Sequence, residues 1–315
     1  MNNVVMEDVI VEYKDHAVTY AAIDIGSNAV RLLIKQLEDD HQPRFNKVLL
    51  LRVPLRLGFD VFSNGGSISD RKRKDLVRLM KSYKQLMKIY NVSDYRACAT
   101  SAMRDAANGQ DIIREVRKKT GIEIEIIDGQ QEARMIYNNH IESMRGRKGN
   151  YMYVDVGGGS TEINLMTDGD LICSKSYNIG TVRMLNEAVS DGEWKRFRSD
   201  LQDLAASYPN ISIVGSGGNI NKLYKLVERR DKRYPRMHTS SLQVLYDRLK
   251  SMTVRQRMEE YDLKPDRADV IVPAGEIFLT IASITGASYI YVPVIGLSDG
   301  IIDGLYTKHL AGLGR

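Results

Sequence analysis

The sequence has little cysteine and proline and no long apolar segment. Its 315 residues include two cysteines, Cys98 and Cys173, and seven prolines. Two cysteines leave no disulfide framework and no CxxC metal site, so we expect free thiols in a reducing compartment. No apolar run approaches the ~20 residues that a membrane helix needs. Residues 1–18 also lack the basic start and apolar stretch of a signal peptide. These absences predict a cytoplasmic protein that has no membrane partner.

The chain has enough apolar residues for a folded protein and a small excess of positive charge. Hydrophobic residues make up 43% of the sequence, and the length suits two domains of roughly 150 residues each. Lysine and arginine number 45 against 40 aspartates and glutamates, which gives a net charge of +5. This excess favours a polyanionic partner but does not distinguish nucleic acid, polyphosphate and nucleotide. Because no nucleic-acid recognition motif accompanies the charge, we expect no specific nucleic-acid partner.

Part of the positive charge follows one predicted helix, residues 69–90. Its apolar residues recur at helical spacing and predict one buried face. A second stripe at the same spacing is basic and consists of Arg71, Lys74, Arg78, Lys81 and Lys88. A solvated outer face explains this stripe, and a track for an anionic chain is the alternative.

Two short strands each end in an aspartate and a glycine- or serine-rich turn. The strand at 20–25 contains Asp24 and is followed by Gly26-Ser27-Asn28, and a returning strand begins at Ala29. The strand at 151–156 contains Asp155 and is followed by residues 157–161, and a returning strand covers 162–166. The same layout in both halves predicts an internal structural duplication.

A third glycine-rich segment, Gly215 to Asn219, follows a predicted strand at 211–214 and precedes a predicted helix at 220–228. Amide groups at such a helix start attract anions. Glycine and serine also let amides approach phosphate closely, and an aspartate supplies an oxygen ligand for Mg²⁺. The sequence contains neither GxGxxG nor GxxxxGK[ST], which argues against Rossmann and P-loop chemistry.

The remaining pattern predicts helices at 102–120 and 130–143 and a long helix at 265–285. Pro273 within the last of these is expected to be a kink or a first-turn residue. A last strand is predicted at 289–294 and a closing helix at 305–310. Ser190 with Glu193, and Thr253 with Gln256, fit capping boxes.

Five segments, taken together and in order, resemble the exopolyphosphatase and guanosine pentaphosphate phosphatase (Ppx/GppA) family over about residues 20–305. They are Asp24-Ile-Gly-Ser-Asn28 with Arg31, Ala99-Thr-Ser-Ala-Met-Arg104, Gly129-Gln-Gln-Glu132-Ala-Arg134, Asp155-Val-Gly-Gly-Gly-Ser-Thr-Glu162 and Gly215-Ser-Gly-Gly-Asn219. The resemblance implies an α/β, duplicated ribonuclease-H-like (actin-like) fold with two lobes around a cleft. We expect residues 1–128, joined by a C-terminal helix at 299–315, to form one lobe and residues 129–298 to form the other.

The resemblance also implies an activity and roles for individual residues. Enzymes of this family remove the terminal phosphate of inorganic polyphosphate, or the 5′ γ-phosphate of pppGpp, with Mg²⁺; Mn²⁺ is an alternative. Glu132 matches the catalytic glutamate; without the resemblance it would be one surface helix glutamate among many. Asp155 and Glu162 match metal ligands, and Asp24 lies where it could share that role. The residues expected to bind phosphate are Ser27, Asn28, Arg31, Arg104, Gly157, Gly158, Gly159, Ser160, Thr161, Gly217, Gly218 and Asn219.

Three features depart from the family pattern. Gln131 replaces the first of two adjacent glutamates, and we expect catalysis to survive because Glu132 is kept. Leu297-Ser298-Asp299-Gly300 stands where the family usually has Leu-Arg-Glu-Gly, which puts phosphate affinity in question. The HD helical domain of the long members is also missing, so a short two-domain form is expected.

The leading hypothesis is an exopolyphosphatase that acts by metal-assisted, in-line attack of water. A pppGpp 5′-phosphohydrolase uses the same residues, and the sequence does not choose between the two. Gln131 and Ser298 motivate a third reading, a non-catalytic sensor of polyphosphate or alarmone. A sugar kinase or ATPase is supported by fold analogy alone. The sequence leaves a homodimer open.

Overall fold

The computed structural model describes residues 18–39, 44–63, 65–144, 148–231, 234–293 and 296–312, without the side chains of residues 137–144 and 312. Expectations for residues 1–17, for Val294 and for residues 313–315 therefore lie outside the described residues.

The first β-sheet has five strands. They are β1 (Thr19–Ile25), β2 (Val30–Asp39), β3 (Arg44–Val53), β4 (Asp94–Ala99) and β5 (Ile124–Ile126). Their order in the sheet is β3-β2-β1-β4-β5. The first three strands form an antiparallel meander, and β4 and β5 continue parallel to β1. Every residue of β1 is buried, because this central strand is covered on both faces.

The second sheet repeats this topology and adds strands at one edge. Its strands are β6 (Asn150–Val156), β7 (Thr161–Thr167), β8 (Asp170–Tyr177), β9 (Ser212–Ser216), β10 (Arg230–Asp231), β11 (Arg236–His238) and β12 (Tyr289–Tyr291). In the sheet order β10-β11-β12-β9-β6-β7-β8, the portion β8-β7-β6-β9-β12 matches the first sheet strand for strand. Again the first three strands are antiparallel and the next two are parallel. The predicted duplication and the ribonuclease-H-like, actin-like fold are confirmed.

Helices connect and cover the two sheets. They are α1 (Leu57–Val61), α2 (Asp70–Ile89), α3 (Ser101–Asp105), α4 (Gly109–Thr120), α5 (Gly129–Met144), α6 (Thr181–Leu185), α7 (Asp191–Ser207), α8 (Gly217–Leu226), α9 (Thr239–Ser251), α10 (Val254–Tyr261), α11 (Pro265–Ala268), α12 (Ile271–Thr285) and α13 (Leu297–Gly312). The predicted apolar face of α2 is buried, and all five residues of its basic stripe are exposed to solvent.

Each sheet has its own apolar core, and a third cluster joins α13 to the first sheet. Tyr20 and Ala22 of β1 pack in this cluster with Ile301, Ile302 and Leu305 of α13. The C-terminal helix thus lies on the back of β1 and also contacts α5. The division of the chain into lobes at residues 128 and 298 stays a prediction.

Two of the predicted helices are wrong, because each is divided into two helices in the structure. The stretch 102–120 is two helices, because the side chain of Asn108 binds both the amide and the carbonyl of Ile68 and holds a loop there. The stretch 265–285 is α11 and α12. A proline ring clashes with the carbonyl four residues before it, so a continuous helix through Asp269 is disfavoured and Pro273 lies in the first turn of α12.

Other boundaries also differ from the prediction. α13 begins at Leu297, eight residues before the predicted closing helix, and the last strand ends at Tyr291. β8 was not predicted at all. Thr253 and Gln256 form the complete predicted capping box.

The second predicted capping box is only half formed. Ser190 accepts a hydrogen bond from the amide of Glu193. The carboxylate of Glu193 instead binds the amide of Asn178 and the guanidinium of Arg196. The motif therefore marks the start of α7 correctly, but its acidic residue is used for tertiary contacts.

By length and composition, the segment Pro265–Thr285 could cross a membrane, and it is the one such segment within the part of the chain that the structure describes. More than half of its most apolar window is buried, and Ile271, Ala274 and Phe278 belong to the core of the second sheet.

Candidate active site

A cavity of about 410 Å³ lies between the two sheets. Its walls come from the turn after β1, the turn after β6, the start of α8, the strand β3 and the segment that leads into α13. Most of the residues predicted for the site line it: Asp24, Ser27, Asn28, Arg31, Glu132, Asp155, Gly157, Gly158, Ser160, Gly217, Gly218 and Asn219. The duplicated topology explains this arrangement, because the ends of β1 and β6 occupy equivalent places in the two sheets.

The turn after β1 places an ion pair with a buried carboxylate in the cavity. The amide of Gly26 donates to the carbonyl of Ala29, 3.1 Å away, and closes the turn. Asp24 and Arg31 are cross-strand partners in the β1–β2 register. Arg31 Nη1 lies 2.6 Å from Asp24 Oδ2, and the carboxylate is almost fully buried. Burial alone would lower the pKa of Arg31, but the ion pair with Asp24, together with the charges of Asp155 and Tyr83, outweighs burial and raises the pKa.

The turn after β6 packs directly against the turn after β1. The amide of Gly157 donates to the carbonyl of Ser160, 2.9 Å away. A Cβ atom on Gly158 would lie 3.0 Å from Ser27 Cβ and 3.1 Å from the amide nitrogen of Asn28. The close approach of the two turns therefore favours glycine at this position, because a larger residue would have to displace its neighbours by a few tenths of an ångström.

Four carboxylates gather at this end of the cavity. Asp24, Glu132 and Asp155 line it. Glu162 is buried beside them, and its Oε1 accepts a hydrogen bond from Ser176 Oγ at 2.9 Å. Among the described residues, Glu132 Oε2 is buried without a hydrogen-bond partner. The predicted convergence of Asp24, Glu132 and Asp155 on one crevice is what the structure has.

Burial and mutual repulsion raise the pKa of three of these acids. The pKa of Glu132 is raised well above its usual range by burial and by the charges of Glu162, Asp24 and Asp155. Burial and the charge of Asp24 raise the pKa of Asp155, although Ser216 and Arg31 oppose the shift. Burial also raises the pKa of Glu162 to about 7. The cluster thus holds more carboxylate than the neighbouring cations neutralise, which is typical of functional sites.

The carboxylate oxygens of the cavity are of the type that binds a hard divalent cation. Carboxylate oxygens are the ligands that Mg²⁺ prefers, and Mg²⁺ is commonly held by one or two carboxylates together with water and phosphate oxygens. The unpartnered Oε2 of Glu132 and the raised pKa values fit a missing positive charge. Across the ranges that the structure describes, however, three acidic, histidine or cysteine side chains do not assemble into a ready metal cluster.

Helix α8 presents its N-terminus to the same cavity, and it begins at Gly217, three residues before the predicted start. Gly217 has φ +86°, a conformation that favours glycine, and a Cβ there would lie 2.6 Å from Asp155 Oδ1. Ser216, at the N-cap, makes no cap bond with its side chain; its hydroxyl donates to Asp155 Oδ2 at 3.0 Å. The first amides of α8 are therefore open to an anion in the cavity.

Four predicted site residues do not line this cavity. Arg104 lies in a second, more open groove of about 650 Å³, and its Nη1 donates to the carbonyl of Ile127 at 2.8 Å. Thr161 donates to the carbonyl of Ile179. A Cβ on Gly159 would lie 2.7 Å from Ser27 Oγ, so this glycine also serves the contact between the turns. Glu162 is the fourth.

Five basic residues in the cavity wall were not predicted: Lys47, Arg52, Lys222, Lys225 and Arg267. Arg267 donates from Nη1 to the carbonyl of Gly218 at 2.7 Å and to Asn219 Oδ1 at 3.3 Å. Burial, with the charges of Arg52 and Arg31, lowers the pKa of Arg267 to about 10. No local motif marks these residues, because distant segments bring them together.

Ser298 and Asp299, which depart from the family pattern, also lie in the cavity wall. Ser298 is buried. Asp299 forms an ion pair of 2.6 Å with Lys35 on β2. The arginine that the family usually has there is absent, and Arg267 supplies a guanidinium to the same cavity from α11.

Comparisons with known proteins show the family to which the chain belongs. A sequence model of the Ppx/GppA phosphatase family matches residues 33–309. The bifunctional 3-dehydroquinate synthase/phosphatase of Fusobacterium nucleatum is 29% identical over 96% of this chain, which spans half of that protein. Exopolyphosphatase 1 of Mycobacterium tuberculosis is 25% identical over 79% of this chain and 77% of its own length. The crystal structure of the Aquifex aeolicus Ppx/GppA family member superimposes with a TM-score of 0.74 and 28% identity over 93% of this chain and 99% of that one.

Proposed function

Because the chain belongs to the Ppx/GppA phosphatase family, we propose that it is an exopolyphosphatase, which releases the terminal phosphate of inorganic polyphosphate. The observation that carries this proposal is the cavity between the sheets, where buried carboxylates at one end adjoin a set of arginines and lysines. Carboxylates suit the handling of a water nucleophile, and the cations suit a polyanionic substrate.

The composition of the cavity wall favours an inorganic chain over pppGpp. No aromatic side chain occurs among the described residues that line the cavity. A purine base is commonly held by stacking on an aromatic ring or an arginine plane. Two of the arginines in the wall, Arg31 and Arg52, are engaged in ion pairs with Asp24 and Asp266. A linear phosphate chain needs only the positive charges and the amides of the cavity.

Glu132 is proposed to act as the general base. Its Oε2 has no hydrogen-bond partner among the described residues, and burial and the neighbouring acids raise its pKa, which makes it a stronger base than an ordinary carboxylate. The water oxygen forms a bond to the terminal phosphorus while the bond from that phosphorus to the bridging oxygen breaks. The shortened chain leaves with the bridging oxygen. The open amides of α8 and the cavity arginines stabilise the charge on the phosphoryl oxygens.

The metal proposal rests on the carboxylates. Asp24 and Asp155 would bind Mg²⁺, or Mn²⁺, from the cavity, and Glu162, whose carboxylate also interacts with Ser176 and Ser160, would contribute to the same site. A bound divalent cation would neutralise phosphoryl charge. Asp24 already forms an ion pair with Arg31. To bind the cation, Asp24 would have to use its other carboxylate oxygen, or its distance from Arg31 would have to increase.

The proposal is tested by phosphate release from polyphosphate and from pppGpp, each with Mg²⁺ present and after EDTA treatment. We expect Mg²⁺-dependent release, with polyphosphate preferred in kcat/KM. Glu132→Gln should lower kcat about 10²- to 10⁴-fold. Glu259→Gln, a change of an exposed glutamate in α10, is the matched control.

Two outcomes would overturn the proposal. A higher kcat/KM for pppGpp than for polyphosphate would assign the chain to nucleotide hydrolysis. Binding of polyphosphate without phosphate release, with either Mg²⁺ or Mn²⁺, would make it a non-catalytic sensor.

A further inference from the structure

Part of the cavity wall is basic, and its residues come from β3, α8 and α11. This α8–β3 rim consists of Lys47, Arg52, Lys222, Lys225 and Arg267. Its residues lie far apart in the sequence, and its three lysines have no role in the proposed bond cleavage. The rim includes the partly buried Arg267 and the exposed Lys47 and Lys225.

An irregularity in β3 brings Lys47 to the rim. In the β2–β3 ladder, Ile34 pairs with Leu49 and Lys35 pairs with Lys47, so Val48 is an extra residue. Side chains two residues apart point to the same face of a strand, and an extra residue shifts this alternation by one. Leu50 and Arg52 line the cavity, and the bulge puts Lys47 on their face in the place that Val48 would otherwise take.

Helix α8 supplies two further lysines of the rim. Lys222 and Lys225 are three residues apart, which places them on one face of the helix. Lys222 is half-buried and Lys225 is exposed. Within the described ranges, neither lysine forms an ion pair with a carboxylate, and the same holds for Lys47. The rim therefore carries positive charge that the folded chain does not neutralise.

Arg267 joins the rim to the start of α8. Its guanidinium binds Gly218 and Asn219 and forms no ion pair with any carboxylate among the residues described. Arg52 and Arg31 lie close enough to lower its pKa. Three guanidinium groups share this region with two paired carboxylates, Asp24 and Asp266. An anion bound here would relieve the repulsion between the cations.

We propose that the α8–β3 rim is a distal subsite that holds the phosphates of a linear polyphosphate beyond the scissile bond. This inference rests on the proposed function, because it takes the carboxylate end as the place of cleavage. The occupant is an inorganic phosphate chain, since the rim combines five cations, from the partly buried Arg267 and Lys222 to the exposed Lys47 and Lys225, with no aromatic side chain among the described residues that line the cavity. A nucleotide would place a neutral base and ribose against Lys222 and Lys225.

The test compares chain lengths in a double variant, Lys222→Gln with Lys225→Gln. Initial rates of phosphate release are measured for tripolyphosphate and for long-chain polyphosphate over a range of NaCl concentrations. The matched control is Lys81→Gln with Lys88→Gln, which removes the same charge from the exposed stripe of α2. We expect kcat/KM for the long chain to fall about tenfold and that for tripolyphosphate to fall less. The slope of log KM against log[NaCl] should decrease by about 1 to 2, as expected for two lost phosphate contacts.

An equal loss for both substrates, or a double variant that behaves like the control, would overturn the subsite. If the unmodified enzyme releases no phosphate, the proposed function fails separately. Calorimetric binding of long-chain polyphosphate to the unmodified protein and to the double variant then tests the subsite alone. Weaker binding in the double variant supports it, and equal binding overturns it.

Discussion

Gln131 and Asp128 cap the first turn of α5 reciprocally. Gln131 Oε1 accepts a hydrogen bond from the amide of Asp128 at 3.0 Å, and Asp128 Oδ1 accepts one from the amide of Gln131 at 2.7 Å. This is the geometry of a capping box, in which glutamine and glutamate are interchangeable. The departure from the family pattern at residue 131 therefore preserves the start of the helix that carries Glu132.

Replacement of Gln131 by Glu should leave kcat within about twofold, because the capping bond is kept. Gln131→Ala should lower the stability of the protein by about 0.5 to 1 kcal/mol through the lost cap. It should also lower kcat several-fold, since Glu132 is the next residue. Steady-state kinetics and urea unfolding measure both effects. Equal kcat values for the two variants would contradict the link between the cap and Glu132.

The raised pKa of Glu162 predicts a pH dependence of stability in metal-free protein. Its pKa is about 7 in the folded state against 4.5 ordinarily, so the folded state holds the proton more tightly than the unfolded state. The contribution is fully present below about pH 4.5 and is lost as the pH rises through 7. In EDTA, the Tm of the unmodified protein should fall between pH 5 and pH 8. The Tm of Glu162→Gln should fall less over the same range. Parallel curves for the two proteins would contradict this.

Binding of Mg²⁺ should raise Tm, and more so at higher pH, because the carboxylates have to lose their protons first. At a free Mg²⁺ concentration of about 100 times its Kd, binding stabilises the folded state by about 2.7 kcal/mol. Asp155→Asn should remove most of the effect. Asp170→Asn, on the exposed end of β8, is the control that should keep it. The same Mg²⁺ response in both variants would exclude Asp155 from the metal site.

Gly217 and Gly286 allow the clash with Asp155 to be separated from backbone strain. Both have positive φ, +86° and +68°, but only a Cβ at Gly217 meets another group, because nothing lies within 4 Å of one at Gly286. Each alanine variant should lose about 1 kcal/mol to the strained backbone. Gly217→Ala should lose more, and it should also weaken Mg²⁺-dependent activity. Equal unfolding free energies for the two alanine variants would show that the Asp155 side chain moves away from the new Cβ without loss of stability.

Asn164 connects the second sheet to the residue after Glu132. Its Nδ2 donates to the carbonyl of Ala133 at 2.9 Å, and its Oδ1 accepts from Ser174 Oγ at 2.6 Å. Asn164→Leu should lower kcat more than it changes KM, because it frees the first turn of α5. Ser174→Ala, which keeps the bond to Ala133, should have a smaller effect. A change confined to stability in both variants would limit Asn164 to a structural role.

Local patterns predicted the parts of the fold and site that depend on local sequence. The two strands that end at Asp24 and Asp155, with their turns, were found because glycine and aspartate mark them directly. The interruption between α3 and α4 at Asn108 was missed because it depends on a contact with Ile68, forty residues away in the sequence. Arg52 and Arg267 were missed for the same reason. Arg52 pairs with Asp266 across 214 residues, and neither segment alone indicates the contact.

The contact of Gly158 with Ser27 is one of several that join the two sheets beside the cavity. A Cβ on Gly159 would also lie 2.7 Å from Ser27 Oγ, and ion pairs join Arg52 to Asp266 and Arg183 to Asp105. Asp24 precedes Ser27 by three residues, and Asp155 precedes Gly158 by three. The separation of the two carboxylates is therefore set by the same contact that joins the turns, and a larger side chain at residue 158 should disturb both carboxylates at once.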